Sequence, residues 1–528
     1  MTTLMTTATL PLGRVVILGG GTAGWLAAAY FSRTLRLGAS ITLVESSEIG
    51  IIGVGEGTFP TIRSTLANLG VSEAEFLTRS NATFKQGVLF EGWATGSAAN
   101  GSDSYFHPFN LPLGGEDDSL LPYWVADESA ERPSYADAVT VQERLIRAGR
   151  APKRPQDPDF SGPMNYAYHF DAARFADFLR DISVEAGVAR IEGKVGTVER
   201  HENGDIAALL LGDGRRVEGD FFIDCSGFAS LLIGQTLGAD FVGCGDVLFN
   251  DRALAMQVPN PAPDTPIRPY TLATAHAAGW TWDIGLKDRR GTGYVYSSRH
   301  CSDDEAEATL RAYVGNQATT LSARQLRFVT GYRDRQWIGN CAAVGLSAGF
   351  FEPLESTGIV LIESALKMLG DFLVPDVLNG GDRAARDAAA RSFNAKMGGR
   401  FAKIVNFLKL HYCVTRRTDT AYWRDNADPA TIPEELRDLL AQWRARTPSR
   451  FDFIVDLETF LPPSYHYILY GMGFQTRLAK GRYGDDADAR AAFAKVRAAS
   501  AQALAHLPDH RALLDYYYAR PAAQKVSR

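Results

Sequence analysis

A mixed α/β fold built around a parallel, nucleotide-binding sheet is what this 528-residue sequence predicts, and three observations lead there. The apolar run Arg14 to Leu18 enters the glycine turn GGGTAG. A second apolar run, Ile41 to Glu45, follows after one crossover. Beyond about residue 360 the pattern is mostly helical, with aromatic-rich loops.

The first unit reads as a βαβ start. Arg14-Val15-Val16-Ile17-Leu18 is short and continuously apolar, as a buried parallel strand is, and residues 25–37 carry a helix-like pattern that stops at Gly38. Between them Gly19-Gly20-Gly21-Thr22-Ala23-Gly24 fits GxGxxG. Gly19 permits the tight turn, Gly21 lets backbone approach a pyrophosphate, and Gly24 allows close helix-strand packing at an anion-attracting helix N-terminus. Glu45 ends the second strand where an acid binds a ribose hydroxyl. The bland alternative is a glycine-rich structural turn.

Further along, residues 94–165 are rich in Gly, Ser, Asp and Pro, with apolar islands such as Tyr105-Phe106-His107-Pro108-Phe109, and read as an irregular lid or substrate loop. Asp171 suits an N-cap, and Phe175, Phe178, Leu179 and Ile182 recur at helical spacing before Gly187. Asn203-Gly204 and Asp213-Gly214 are hairpin turns within a small meander that ends in the buried run Phe221-Phe222-Ile223-Asp224. The Pro-rich passage 258–269 reads as a boundary. The expected organisation is a βαβ unit over 1–93, the lid over 94–165, the rest of the nucleotide-binding module with an inserted sheet over 166–375, and a helical substrate-covering region over 376–528.

Composition narrows the function. Asp plus Glu number 61 against 55 Lys plus Arg, so no basic excess exists to track phosphates, and nucleic acid is excluded as a partner. Cys225, Cys244, Cys301, Cys341 and Cys413 are scattered without a CxxC pair or close His partners, which argues against a metal site and a disulfide framework and fits a reducing cytoplasm. The apolar stretch 15–30 is broken by three adjacent glycines and is too short to span a membrane; no signal or transit peptide pattern precedes it.

FAD rather than NAD is suggested by two further strand ends returning to the nucleotide site, Asp224-Cys225-Ser226-Gly227 and Ala342-Ala343-Val344-Gly345, since a two-part cofactor needs more wall. Five segments then resemble the flavin-dependent tryptophan (indole) halogenases in order: GGGTAGW from Gly19, GVGEGTFPT from Gly53, the lysine of Phe84-Lys85, Trp280-Thr281-Trp282-Asp283-Ile284, and Glu352-Pro353-Leu354-Glu355-Ser356-Thr357-Gly358.

The resemblance implies a glutathione-reductase/hydroxybenzoate-hydroxylase-like FAD fold with an inserted β-rich substrate region and a helical C-terminal region. It implies that FADH2 and O2 oxidise chloride or bromide to hypohalous acid, which reaches an electron-rich arene through a tunnel. Lys85 matches the lysine that holds the oxidant or is halogenated by it, and Glu355 matches the glutamate that activates it or takes the arene proton. Flavin contacts are implied at Gly53, Val54, Glu56, Val195, Leu346, Ser356 and Ile359 besides the glycine turn, halide contacts at Thr357 and Gly358, and ring-stacking at His107 and Phe109. Trp280 and Trp282 match the signature that keeps substrate off the flavin; Gly285 stands where the family has proline, which puts local rigidity in doubt.

Elementary chemistry is compatible with these roles. A poorly solvated lysine is biased toward the neutral amine that can take halogen, and a carboxylate in a water-poor pocket stabilises an arenium cation. Each residue also has a bland reading. Lys85 would otherwise be a snorkelling surface lysine, Glu-Ser-Thr-Gly a helix cap before Ile359, the tryptophan pair core packing, and His-Pro-Phe a packed loop. Tyr465 and Tyr467 are candidates for holding an amino acid group of the substrate, a segment with no clear match. The partners implied are an indole-type small molecule and a separate flavin reductase, and a homodimer is compatible with this reading. The nearest rival is a single-component flavin hydroxylase, which oxidises NAD(P)H unaided and needs no halide. A flavin-binding sensor without turnover has no reason to keep Lys85, Glu355 and the tryptophan pair.

Overall fold

The computed structural model describes residues 13–35, 39–48, 50, 55–96, 103–115, 120–129, 131–378, 381–479, 481–483 and 486–519. Its nucleotide-type sheet has six strands in the order Trp337–Ile338, Cys341–Ala343, Phe221–Asp224, Arg14–Leu18, Ser40–Glu45 and Ala189–Glu192. Neighbours run parallel except the hairpin pair at Trp337–Ile338. Val15, Val16 and Ile17 are all buried, so both faces of the first strand are covered and the sequence shows no alternation.

The helix after the glycine turn is α-helical over Thr22–Ala29 and continues as a π-helix over Tyr30–Leu35. It starts earlier than the apolar pattern implies because the backbone turns at Gly21, without a capping side chain. The expected stop at Gly38 lies outside the described residues. Asp171 caps the helix Ala172–Glu185 by accepting the N–H groups of Ala173 and Arg174, and Phe175, Phe178, Leu179 and Ile182 are buried as this helix packs beside the first one. The two hairpin turns join Val195–Arg200, Ile206–Leu211 and Arg216–Glu218, which lead into Phe221–Asp224.

A second sheet of seven strands carries the other wall of the site, in the order Arg324–Arg327, Arg252–Pro259, Arg289–Tyr296, Gly279–Gly285, Thr271–Ala275, Gly87–Glu91 and Ser104–Pro108. The Pro-rich passage is therefore a connection inside one sheet and not a boundary: prolines cannot donate to a ladder, so the chain leaves the sheet there and re-enters it at Thr271. Residues 94–165 are also more regular than their composition implies. They hold the edge strand Ser104–Pro108 and the helices Leu121–Ala126, Tyr135–Val139 and Gln142–Arg147. Tyr105, Phe106 and His107 are buried in succession because the helix Pro462–Gly471 packs on this edge.

A small three-stranded sheet pairs Glu56–Gly57 and Thr83–Lys85 antiparallel to either side of Ala167–Phe170. Helices dominate from Thr357–Phe372 onward, including the 31-residue helix Arg383–Cys413.

Candidate active site

A cavity of about 970 Å³ opens at the carboxyl ends of the parallel strands, lined there by Leu18, Glu45, Cys225 and Val344 and faced by Ala273, Trp280, Trp282 and Ile284 of the seven-stranded sheet. This crevice is where open α/β sheets hold ligands, and its volume lies at the upper end of the roughly 300–1,000 Å³ of ligand pockets.

The glycine turn is shaped by close approaches. Gly19 has φ 117°, and a Cβ there would sit 2.1 Å from the carbonyl oxygen of Cys225; a Cβ on Gly24 would sit 1.8 Å from the carbonyl oxygen of Gly19. Gly21 lines the cavity with nothing within 4 Å of where its Cβ would be, leaving its backbone open to a ligand. Thr22, Ala23, Glu45, Glu56, Val195, Leu346 and Ile359 also line the cavity, whereas Gly53 and Val54 lie outside the described residues. The Glu45 carboxylate accepts the Trp25 indole N–H at 3.2 Å and Arg190 at 2.5 Å, which fixes it at the strand end. Burial pushes Glu56 up to about 7. These residues fit a dinucleotide: an open backbone cradle, a fixed acid and apolar walls.

Glu355, Ser356, Thr357 and Gly358 also line the cavity. Glu355 and Ser356 both have left-handed backbone, φ 62° and 59°, which non-glycine residues adopt at a cost. The helix-cap reading of this segment does not hold. Ser356 makes no side-chain cap bond; its Oγ accepts from Lys85 Nζ at 2.9 Å.

Lys85 is not a snorkelling surface residue. It ends the strand Thr83–Lys85 with 0% exposure, its ammonium 5.2 Å from the ring centroid of Phe109. Desolvation pulls it down to about 8, against the opposing charge of Glu355. Gly57 makes room for this contact: a Cβ there would meet Ser356 Oγ at 2.6 Å and Lys85 Nζ at 3.1 Å.

Glu355 is also buried. Its Oε1 meets His107 Nδ1 at 2.8 Å and His411 Nε2 at 3.1 Å, while Oε2 has no hydrogen-bond partner. Burial pushes this carboxyl up, but His107 and then His411 outweigh it and bring it down to about 2. His107 thus commits an edge nitrogen to Glu355, and its ring lies 6.0 Å from Phe407, 6.4 Å from Phe460 and 6.0 Å from Tyr467. Phe109 lies 5.9 Å from Phe59. Tyr465 and Tyr467 are buried with their hydroxyls given to Glu458 and to the carbonyl of Asn110.

Trp280 and Trp282 point to one face of the strand Gly279–Gly285, as residues two apart do, and both line the cavity. Gly293 directly opposite is what admits Trp282, because a Cβ there would lie 2.1 Å from the indole. The strand keeps its register through Gly285, whose carbonyl accepts the Thr83 hydroxyl at 2.5 Å. The glycine at the family's proline position is therefore held in the sheet.

Three contributors escaped sequence reasoning: His411, Gly57 and Glu352. Glu352 is buried and lines the cavity, accepting from Tyr412 and Asn250, and burial pushes it up to about 7. The available signal was a pair of basic residues, Lys409 and His411, inside the apolar run Phe407-Leu408-Lys409-Leu410-His411-Tyr412; both are fully buried. Polar groups at such positions have buried partners.

Fold and site together define a dinucleotide-type α/β enzyme whose cavity is lined by the left-handed Glu355 and Ser356, with the buried Lys85 bonded to Ser356. Residues 14–485 match the tryptophan halogenase family, and the chain belongs to it. The tryptophan 6-halogenase SttH of Streptomyces toxytricini is 36% identical over 481 residues, 87% of this chain and 89% of that protein. A crystal structure of a tryptophan halogenase from Shewanella frigidimarina NCIMB 400 has TM-score 0.90 at 38% identity, covering 96% of this chain and 98% of that one. A flavin-dependent halogenase from Xanthomonas campestris has TM-score 0.85 at 37% identity, covering 97% and 100%. The chain is a flavin-dependent halogenase, and a hydroxylase is not favoured.

Proposed function

We propose that this chain takes reduced FAD from a separate flavin reductase and, with O2 and chloride or bromide, forms hypohalous acid that halogenates an indole-type arene through Lys85 and Glu355. The observation that carries the reading is the hydrogen bond from the buried Lys85 to Ser356, which lines the cavity next to Glu355. Gly19, Gly21, Thr22, Ala23 and Gly24 would receive the pyrophosphate, Glu45 a ribose hydroxyl, and Glu56, Val195, Leu346, Ser356 and Ile359 the remaining flavin contacts. FAD, when bound and reduced, supplies the two electrons that reduce O2 as halide becomes hypohalous acid.

The chain's own groups do the rest. Thr357 and Gly358 open a 16-residue helix, whose free N–H groups suit a halide ion. Trp280 and Trp282 wall the cavity so that an arene meets the oxidant and not the cofactor. Lys85, with its ammonium form destabilised by burial, attacks hypohalous acid as the amine: an N–X bond forms, the HO–X bond breaks, and water leaves with the amine proton. The arene carbon then takes the halogen while the N–X electron pair stays on nitrogen. Glu355 Oε2, buried and unpaired, takes the proton the ring loses, and that proton then passes to the lysine nitrogen and restores the amine. The ionised carboxylate also stabilises the cationic ring intermediate.

His107, bonded to Glu355, and Phe109, beside Lys85, are the residues that would grip a flat ring. Both tyrosine hydroxyls considered for an amino acid group are already committed, which favours recognition of the ring over recognition of a free amino acid. No described helix is long and apolar enough to cross a membrane, and we place the reaction in the cytoplasm.

Incubation with FAD, a flavin reductase, NADH, chloride or bromide and a panel of indoles, read by mass spectrometry, is expected to give halide-dependent halogenated indole. Hydroxylated products independent of halide would overturn the reading.

A further inference from the structure

The reaction outlined above leaves the two imidazoles on Glu355 without a task. We propose that His411 is a positioning residue of the halogenation step: as an imidazolium it pins Oε1 of Glu355 and keeps Oε2 free for the proton the arene loses. The inference rests on the halogenase reading of this site.

The argument is a count of donors and acceptors. His411 is fully buried on the helix Arg383–Cys413, and its Nδ1 lies 2.9 Å from the carbonyl oxygen of Phe407, one turn earlier. A carbonyl only accepts, so Nδ1 carries a hydrogen. Nε2 lies 3.1 Å from Glu355 Oε1, and an ionised carboxylate also only accepts, so Nε2 carries one as well. Both ring nitrogens face acceptors, and the ring that satisfies both is the imidazolium.

His107 needs no such charge, because one N–H at Nδ1 serves its 2.8 Å contact with the same oxygen. Oε1 therefore receives two donors and the buried Oε2 none. Charge pairing makes a buried carboxylate tolerable where desolvation alone would neutralise it. The anchor is stiff: Phe407 stacks on Phe460 at 3.8 Å, and the histidine sits in the last turn of the same helix, where the helix dipole favours a cation. Glu355, whose left-handed backbone is not its own preference, is thereby turned by a group on another element.

His411→Leu removes both bonds, and His411→Gln restores a neutral N–H toward Oε1. With reductase, FAD and bromide, His411→Leu is expected to lower halogenated indole turnover about a hundredfold, the scale for misplacing a reacting group by an ångström. Hypohalous acid caught by a dimedone trap should stay within about twofold of the parent, and His411→Gln should recover about tenfold of the loss. In the ligand-free protein, ¹⁵N NMR of labelled histidine should show both His411 nitrogens protonated, with melting temperature as the folding control. Parental indole turnover in His411→Leu would overturn the proposal, as would a parallel fall in trapped acid and product or a His411 nitrogen bearing a lone pair. If the unsubstituted protein yields no trapped acid, the halogenase reading fails instead, and the NMR result still decides the state of His411.

Discussion

The turn at residues 19–24 and the step at Glu355–Ser356 both line one cavity, and both depend on unusual backbone. Gly19 adopts φ 117° without a side chain to resist it. Glu355 and Ser356 adopt left-handed angles with side chains attached, a strain of about 1–3 kcal/mol each. The glycine turn is shaped by its own short segment and the strands beside it. The Glu355–Ser356 step is held by Lys85, His107 and His411, which come from a small sheet, an edge strand and a long helix. An open backbone turn can therefore be made locally, by leaving atoms out, whereas the Glu355–Ser356 step needs neighbours brought from far along the chain to hold a strained conformation.

Substitutions at the two places should separate along that line. Lys85→Ala should have the largest effect on chemistry, abolishing halogenated product while flavin binding, measured by fluorescence quenching, stays nearly intact; persistent product would remove Lys85 from the mechanism. Gly24→Val should act at the glycine turn, forcing apart the helix and the Gly19 carbonyl, with loss of flavin binding and a stability cost of about 1–3 kcal/mol in urea titration. Gly57→Ala should press on Ser356 Oγ and Lys85 Nζ and lower turnover about tenfold with little change in melting temperature, since the clash is with side-chain ends.

The pH profile tests the chemical form of Lys85. Burial lowers it to about 8, so the neutral amine is the minor form below that pH and the major form above it. Single-turnover halogenation should rise about tenfold per unit up to roughly pH 8 and then level off. Glu355, brought down to about 2, should add no acid limb in the range from pH 5 to 8. A flat profile would mean that Lys85 acts as an ammonium donor. The smallest effect on stability belongs to Ser356→Gly, in which relief of the left-handed strain, about 1 kcal/mol, is offset by loss of the hydroxyl that receives the buried Lys85, so the urea midpoint should hardly move.

How much was legible differs between particular residues. The run Val15-Val16-Ile17 and the glycines after it carry local signals, apolar continuity and missing side chains, and these predicted the first strand, the turn and the cavity above them. The Ser104–Pro108 strand was hidden because its polar surroundings read as loop; its pairing with Gly87–Glu91 and its cover by Pro462–Gly471 come from distant chain. The proline-rich passage misled for the opposite reason, a local break in pattern that is only a connection within one sheet. Lys85 and Glu355 were legible through the family motifs, and their local context alone pointed to a surface lysine and a helix cap.

By itself, the sequence determined the parallel nucleotide sheet, the glycine cradle, the acid at its second strand and the halogenase motifs, because each is a pattern written in consecutive residues. Tertiary structure alone decided that Ser356 takes Lys85 instead of capping its helix, that Gly57 makes room for that bond, and that His107 and His411 share one oxygen of Glu355. Those arrangements depend on which side chains meet in a water-poor space, and folding brings them together from segments more than 200 residues apart.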